Sequence, residues 1–340
     1  MGEFLKLSHG AGGTLMDEVI KKMVIPAFSL RRALDGVGID ELDDGSSLKL
    51  DGYEVVTSMD GHTVSPIFFP GGDIGRLSIS GTTNDLAMMG AKPVAVLDSI
   101  MVEEGFSFAD LARITKSMEE AAREIEIAII GGDFKVMPKG SLDQMVVATC
   151  GIGLARKGAI ILDSGTKAGD KVIITGSIGD HGMALLAARE QLRLDMDLQS
   201  DVAPIWKTVQ AALAHGGVTA MKDPTRGGLA SALNDIATRA GVSIWLDQDK
   251  IPVKESVRAA SEMLGLDPYE ITCEGRAVMC VSEKAAEATL DAVRGTKYGR
   301  EATIAGEVKG EHPGYVLLKT RVGGTRVLEK PIGEPIPRVC

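Results

Sequence analysis

The chain has 340 residues, is 44% hydrophobic and 25% charged, and carries a formal net charge of -10. That length suits two domains of about 150 residues each, and the acidic balance excludes the basic face that nucleic acid or an anionic membrane surface requires. No apolar stretch approaches the ~18 residues of a membrane helix, and the leading MGEFLKLSHGAGG lacks a signal peptide's apolar run, so the expected setting is cytoplasmic, with reduced thiols.

The pattern opens with a glycine-rich segment, HGAGG (9–13), and a helix from Thr14. Thr14 and Asp17 have N-cap and N3 spacing, and Leu15, Val19, Ile20 and Met23 form an apolar stripe. A Gly- and Asp-rich stretch at 35–44 leads into an extended segment at 54–59. A helix is predicted over 73–89, a strand over 94–102, and a helix over 107–124 with Ser107 and Asp110 as cap and N3 residues. Apolar runs at 125–130 and 145–150, bounded by glycine turns, read as buried strands. After a boundary between 156 and 169 come a strand at 172–175, helices at 183–190, 202–214 and 228–239, and strands at 242–246, 277–281, 303–308 and 315–318. Alternating strands and helices give an α/β class. The expected parts are an N-terminal segment (1–40), two domains (41–156 and 157–328) and a tail (329–340). Pro331, Pro335 and Pro337 favour polyproline II geometry in that tail. At about 3 Å per residue it reaches roughly 30 Å, the length of a swinging arm.

Five acidic motifs stand in or beside predicted turns: Asp43-Asp44-Gly45, Met59-Asp60-Gly61, Asn84-Asp85, Gly131-Gly132-Asp133 and Asp223-Pro224-Thr225. Singly, each is first a turn signal. Together they point to Mg²⁺, a hard cation that takes carboxylate and phosphate oxygens. Gly10, Gly12 and Gly13 open a helix whose N–H groups can face a phosphate, although no P-loop of the form G-x-x-x-x-G-K-[ST] is present. Lys135 follows two glycines and Asp133, where its charge can sit beside a phosphate or simply in solvent. Glu274, at the mouth of a predicted strand, is a candidate general base, while loop glutamates are also commonplace. Among the cysteines, Cys273 and Cys280 read as small core residues, as thiols most often do. Cys340 ends the chain on a proline-stiffened arm, which makes it either an incidental terminus or a carrier thiol.

Taken together these motifs resemble the HypE family, the carbamoyl dehydratases of [NiFe]-hydrogenase maturation. The resemblance runs in order through HGAGG (9–13), DDG (43–45), TSMDGHTVSPIFFPGGDIGRL (57–77), NDLAMMGAKP (84–93), GGDFKV (131–136), DPTRGGLA (223–230), CEG (273–275) and PRVC (337–340). The acidic motifs are shared with the wider aminoimidazole-ribonucleotide-synthetase (PurM)-like superfamily, and the Pro-Arg-aliphatic-Cys ending is the specific signal.

The resemblance implies a PurM-like two-domain subunit with a mobile tail, a homodimer formed through N-terminal sheets, and ATP held through Mg²⁺. It makes Asp44, Asp60, Asp85 and Asp223 metal or phosphate ligands, with Asn84 and Asp133 close by, and sets Lys135 and Glu274 beside the modified thiol. It implies a HypF-type carbamoyltransferase that loads Cys340, dehydration of the carbamoyl group to a thiocyanate, and delivery of cyanide to a HypC–HypD complex. Two positions depart from the family pattern: Phe134 stands where Thr is frequent, and Cys273 where Asn is common. A selenophosphate-synthetase-like activator is the competing enzyme, disfavoured because the glycine loop lacks a Lys. A non-catalytic thiol carrier is the competing non-enzyme.

Overall fold

The computed structural model describes residues 4–10, 12–189, 197–333, 336 and 339–340. The expectations for Pro335, Pro337 and Arg338, and for the last residue of the helix at 183–190, lie outside these.

Helix α1 (Gly13–Val19) starts one residue before the expected site and continues through a π turn at Ile20–Val24. Thr14 is not its cap. The N–H groups of Thr14 and Leu15 donate instead to the carbonyls of Pro331 and Ile332 (3.1 and 3.2 Å), so a distant segment supplies the acceptors that this helix start needs.

The N-terminal sheet contains β1 (Ser46–Lys49) and β2 (Tyr53–His62). A short hairpin, β3 (Phe68–Phe69) and β4 (Gly72–Asp73), then leads to helix α2 (Ile74–Met88). Strand β5 (Lys92–Glu103), helix α3 (Phe108–Glu124), β6 (Ala128–Met137) and β7 (Met145–Arg156) complete the unit. The sheet order is β1-β2-β7-β5-β6, antiparallel except for the β5–β6 pair. Ser107 caps α3 as expected, its Oγ accepting from the N–H of Asp110. Helix α2 is buried on nearly every side, because it packs between this sheet and the second domain.

Two expected turns are strand. Asp60-Gly61 lies within β2, paired with Thr149 and Ala148 of β7, and Gly131-Gly132-Asp133 lies within β6. Ladder hydrogen bonds to a neighbouring strand outweigh the local turn preference of Gly and Asp there. Asn84-Asp85 falls in the last turn and a half of α2 rather than in a loop.

The second sheet is built from β8 (Lys171–Ile174), β9 (Val218–Lys222), β10 (Ser243–Asp247), β11 (Val278–Val281), β12 (Thr303–Lys309), β13 (Val316–Lys319) and β14 (Thr325–Val327). Its order is β14-β13-β10-β12-β8-β11-β9. Helices α4 (Asp180–Arg189), α5 (Trp206–Ala214), α6 (Gly228–Ala240), α7 (Glu255–Leu264) and α8 (Glu283–Arg294) accompany it. The whole is mixed α/β. Strand β9 and helices α7 and α8 went unread in the sequence, and α5 starts at Trp206, not 202.

Among the described tail residues, Ile332 is 71% exposed, but the end of the chain turns inward. Ile336 and Val339 are each 1% exposed and belong to the same apolar core as Ile74, Leu77 and Val147. Apolar burial decides where these two residues rest.

Candidate active site

Where α2, β2 and the first turns of the second domain meet, a cavity of ≈ 520 Å³ is lined by Asp43, Asp44, Ser58, Asp60, His62, Asp85, Asp223, Arg226, Glu274 and Cys340, among others. They arrive from several separate elements. Asp43 and Asp44 precede β1, and Ser58, Asp60 and His62 come from β2. Asp85 projects from α2, and Asp223 to Arg226 form the turn between β9 and α6. That turn is tied to the Glu274 loop by a bond from the Cys273 N–H to the Pro224 carbonyl (2.9 Å). Gly228, with φ +59, lets the two loops touch, since a Cβ there would stand 2.7 Å from the Ile271 carbonyl oxygen.

Carboxylate oxygens of Asp44, Asp85 and Asp223 all lie within 4.8 Å of one another. Burial, then the charges of Asp60, Asp223 and Asp44, push Asp85 well above the usual carboxylate range. Burial and the charge of Asp44 push Asp223 up to about 8. Glu274 is driven well above its ordinary value by burial and then by Asp223 and Asp201. Buried oxygens of Asp223 (Oδ2) and Glu274 (Oε1) have no hydrogen-bond partner among the described residues. Like charges gathered out of water, with unsatisfied oxygens, are the arrangement a hard divalent cation relieves. The donor set therefore fits Mg²⁺. Asp60 lines the cavity but stands outside this triad, its Oδ2 accepting from the Thr82 hydroxyl (2.8 Å).

Asp43 and Asp44 also face a second cluster. Lys222 is hydrogen-bonded to Asp44 and lies 3.2 Å from Asp163, and Arg239 pairs with Asp163 and, at 3.6 Å, with Asp43. Three carboxylates share two cations. Burial works against the charge on Lys222, yet Asp44 and Asp163 hold it firmly protonated, and the surplus negative charge shows where burial raises Asp163 to about 6.

Asn84 has a structural task rather than a ligand's. Its amide donates to the carbonyls of Ala203 (3.0 Å) and Glu274 (3.4 Å) and accepts from the N–H of Ile205 (2.9 Å), which spends both of its ends. The Glu274 N–H in turn donates to Asp201 (3.1 Å), so the backbone of Glu274 is held from both sides. Gly10, Gly12 and Gly13 are not among the cavity's lining residues. A Cβ at Gly13 would meet the Pro331 carbonyl oxygen at 2.3 Å, and one at Gly12 would meet Arg226 Cβ at 2.8 Å. The glycine loop thus admits the tail and Arg226 to close range.

Asp133 and Lys135 do not line the cavity either. They pair with each other at 3.0 Å on the exposed edge strand β6, and Phe134 between them is 51% exposed. Cys273 is buried, its Sγ accepting from the Gly179 N–H (3.2 Å). Cys340, in contrast, is in the cavity. The charge it bears is the largest influence holding Arg226 protonated, ahead of Asp60, Glu274 and Asp85. Arg226, Lys222 and Asp163 carried no role in the sequence reading. Only the Asp-Pro-Thr-Arg run hinted at the first of them.

The fold and the carboxylate-lined junction define the class. Residues 42–155 match the N-terminal domain of the AIR synthase related proteins, and residues 167–319 match their C-terminal domain. Over 333 residues the chain is 45% identical to a putative hydrogenase expression/formation protein of Methanocaldococcus jannaschii, with 98% of each covered. It is 41% identical over 338 residues to carbamoyl dehydratase HypE of Rhizobium leguminosarum bv. viciae, covering 99% of this chain and 95% of that protein. The crystal structure of a HypE–HypF complex matches with a TM-score of 0.85 and 39% identity over 92% of this chain and 99% of that one. HypE in complex with ATP matches with a TM-score of 0.82 and 36% identity over 99% and 100%. The chain belongs to the HypE family of carbamoyl dehydratases, proteins of hydrogenase maturation.

Proposed function

We propose that this chain dehydrates an S-carbamoyl group carried on Cys340 to a thiocyanate, using ATP. The observation that carries the reading is the seating of the terminal cysteine in one cavity with Glu274, Arg226 and the Asp44/Asp85/Asp223 triad. A side chain that merely ended the chain would have no reason to line a cavity of carboxylates.

The amide oxygen of R–S–C(O)–NH₂ accepts the γ-phosphoryl group of ATP as one N–H proton leaves. The C–O bond then breaks, phosphate departs with the oxygen, and loss of the second N–H proton leaves R–S–C≡N. Glu274 suits the proton removals, because a carboxylate that burial destabilises is a stronger base once charged. Asn84 and Asp201 fix its backbone. Arg226 offsets negative charge near Cys340. Asp44, Asp85 and Asp223 would hold Mg²⁺, which neutralises charge on the phosphates when bound. An apolar groove lined by Ile20, Val24, Ile25, Phe28, Ile39 and Leu42 shares Asp43, Asp44, Ser58 and Met59 with the cavity and suits the adenine ring.

The related HypE–HypF complex supports a HypF-type carbamoyltransferase as the partner that loads Cys340, and a HypC–HypD complex is the expected acceptor of the cyanide. A second copy of the chain is the expected cover for the open face of the N-terminal sheet, where Ile130 and Val136 are 58% and 59% exposed. Lys135 lies on the same edge strand, so in such a dimer it serves the site only across the interface. Sedimentation of the wild type against Phe134→Lys tests that pairing, and a monomeric wild type removes it.

The deciding experiment is intact mass spectrometry of the carbamoylated protein with and without Mg-ATP. Loss of one water from the Cys340 adduct, only with ATP, is the expected result. An adduct that persists beside bound ATP leaves the chain a carrier and not a dehydratase.

A further inference from the structure

His181 lies in the first turn of α4 and is fully buried. Its Nε2 is 2.7 Å from the carbonyl oxygen of Val339, and its Nδ1 is 2.7 Å from Ser200 Oγ. A carbonyl only accepts, so Nε2 carries the proton, and Nδ1 takes its hydrogen bond from the Ser200 hydroxyl. Burial lowers the ring's pKa to about 4, which keeps it neutral with that single donor. Ser200 is itself held, its N–H donating to the Pro70 carbonyl (2.9 Å), and Phe69 meets the His181 ring edge-on at 5.3 Å. Gly71 permits the approach, since a Cβ there would stand 2.7 Å from backbone atoms of Ser200. The Phe-Pro-Gly-Gly loop thus holds Ser200, Ser200 orients His181, and His181 grips the tail one residue before the thiol. Nothing in the chemistry outlined above uses this chain of contacts.

We propose that His181, oriented by Ser200, is a positioning residue that docks the C-terminal tail and sets how deeply Cys340 enters the carboxylate cavity. The proposal rests on Cys340 being the carrier. Ile336 and Val339 supply the apolar part of the docking, and the Thr63 hydroxyl, 3.4 Å from the main-chain carboxylate oxygen of Cys340, donates a further polar contact. The His181 bond supplies the register, because a directional hydrogen bond to one carbonyl discriminates between neighbouring residues of the tail in a way that apolar contact does not.

The test is the rate at which iodoacetamide alkylates Cys340 in the full-length protein, read by peptide mass with Cys150 as internal reference. His181→Phe keeps an aromatic ring and removes the donor. It is expected to speed labelling about fivefold, the population shift that follows loss of one hydrogen bond. His181→Gln retains an amide donor at similar reach and is expected to label near the wild-type rate. Equal acceleration in both variants, or none in His181→Phe, overturns the proposal. If His181→Phe unfolds, seen as labelling of buried Cys273 and Cys280, Ser200→Ala decides: faster labelling of Cys340 supports the proposal and an unchanged rate overturns it. The assay needs neither ATP nor a carbamoyl group. A wild type that shields Cys340 yet loses no water from its adduct therefore sinks the dehydratase reading and leaves the docking intact.

Discussion

Two acidic clusters share a wall of this molecule and end in opposite electrostatic states. In the first, Asp43, Asp44 and Asp163 meet Lys222 and Arg239. In the second, Asp44 meets Asp85 and Asp223, and among the described residues its bond to Lys222 is the ion pair that reaches the triad, while Asp85 and Asp223 form none. Asp44 belongs to both. The first cluster ties the loop before β1 to β9 and α6, so it is a clasp between the two domains. The second leaves buried oxygens unsatisfied, which costs stability unless a cation arrives. The same residue type therefore serves as structure where its charge is answered within the chain, and is left open to a cation where it is not.

Breaking the first cluster has the largest expected effect. Lys222→Met removes a buried cation from between Asp44 and Asp163 and should lower unfolding free energy by about 3–5 kcal/mol. Denaturant melts measure it, and a loss near zero would show that solvent or Arg239 already screens those carboxylates.

His181 provides the contrast of a buried group kept neutral. Its folded pKa of about 4 lies below the ~6.5 of an unfolded histidine, so between those values the unfolded chain binds a proton that the native one refuses. Stability should fall as pH drops from about 6.5 to about 4, by up to about 3 kcal/mol. His181→Gln should lack that component, and identical pH profiles for the two proteins would remove the assignment.

The smallest effect sharpens the comparison most. Asp85→Asn keeps an acceptor for the Ser58 hydroxyl, which lies 2.6 Å from Asp85 Oδ2, and removes one charge from the unanswered cluster. The variant should be no less stable than wild type without metal, yet bind Mg-ATP at least about tenfold more weakly, or 1.4 kcal/mol. Calorimetric titration reads the affinity and thermal melts read the stability. Unchanged affinity would mean that Asp85 is not a ligand.

How much of this was legible beforehand depends on the range of the interaction responsible. The cap at Ser107, the apolar strand at 145–150 and the helix at 228–239 depend on neighbours a few residues away, and the sequence displayed them. Strand β6 was read short and its glycines as a turn, because the register with β5 that keeps the chain extended is set across the sheet. Helix α8 carries a buried stripe at Ala286, Thr289, Leu290 and Val293, three of them apolar, that went unread. The resemblance set Asn84 close to the ligands, but its hydrogen-bond partners lie 119 to 190 residues away.

The sequence alone determined the chemical inventory: acidic motifs suited to a hard cation, a glutamate ahead of an apolar strand, and a terminal cysteine on a proline-bearing tail. It also determined the family, because the motifs and their order survive without any coordinates. Only the tertiary structure decided which carboxylates converge, which are answered by Lys222 and Arg239, and that the glycine loop accommodates the tail. It alone showed that the tail is seated inward on His181. The reason is physical: charge, burial and hydrogen bonding act between atoms a few ångströms apart, and the residues that share this cavity come from both domains and from the last position of the chain.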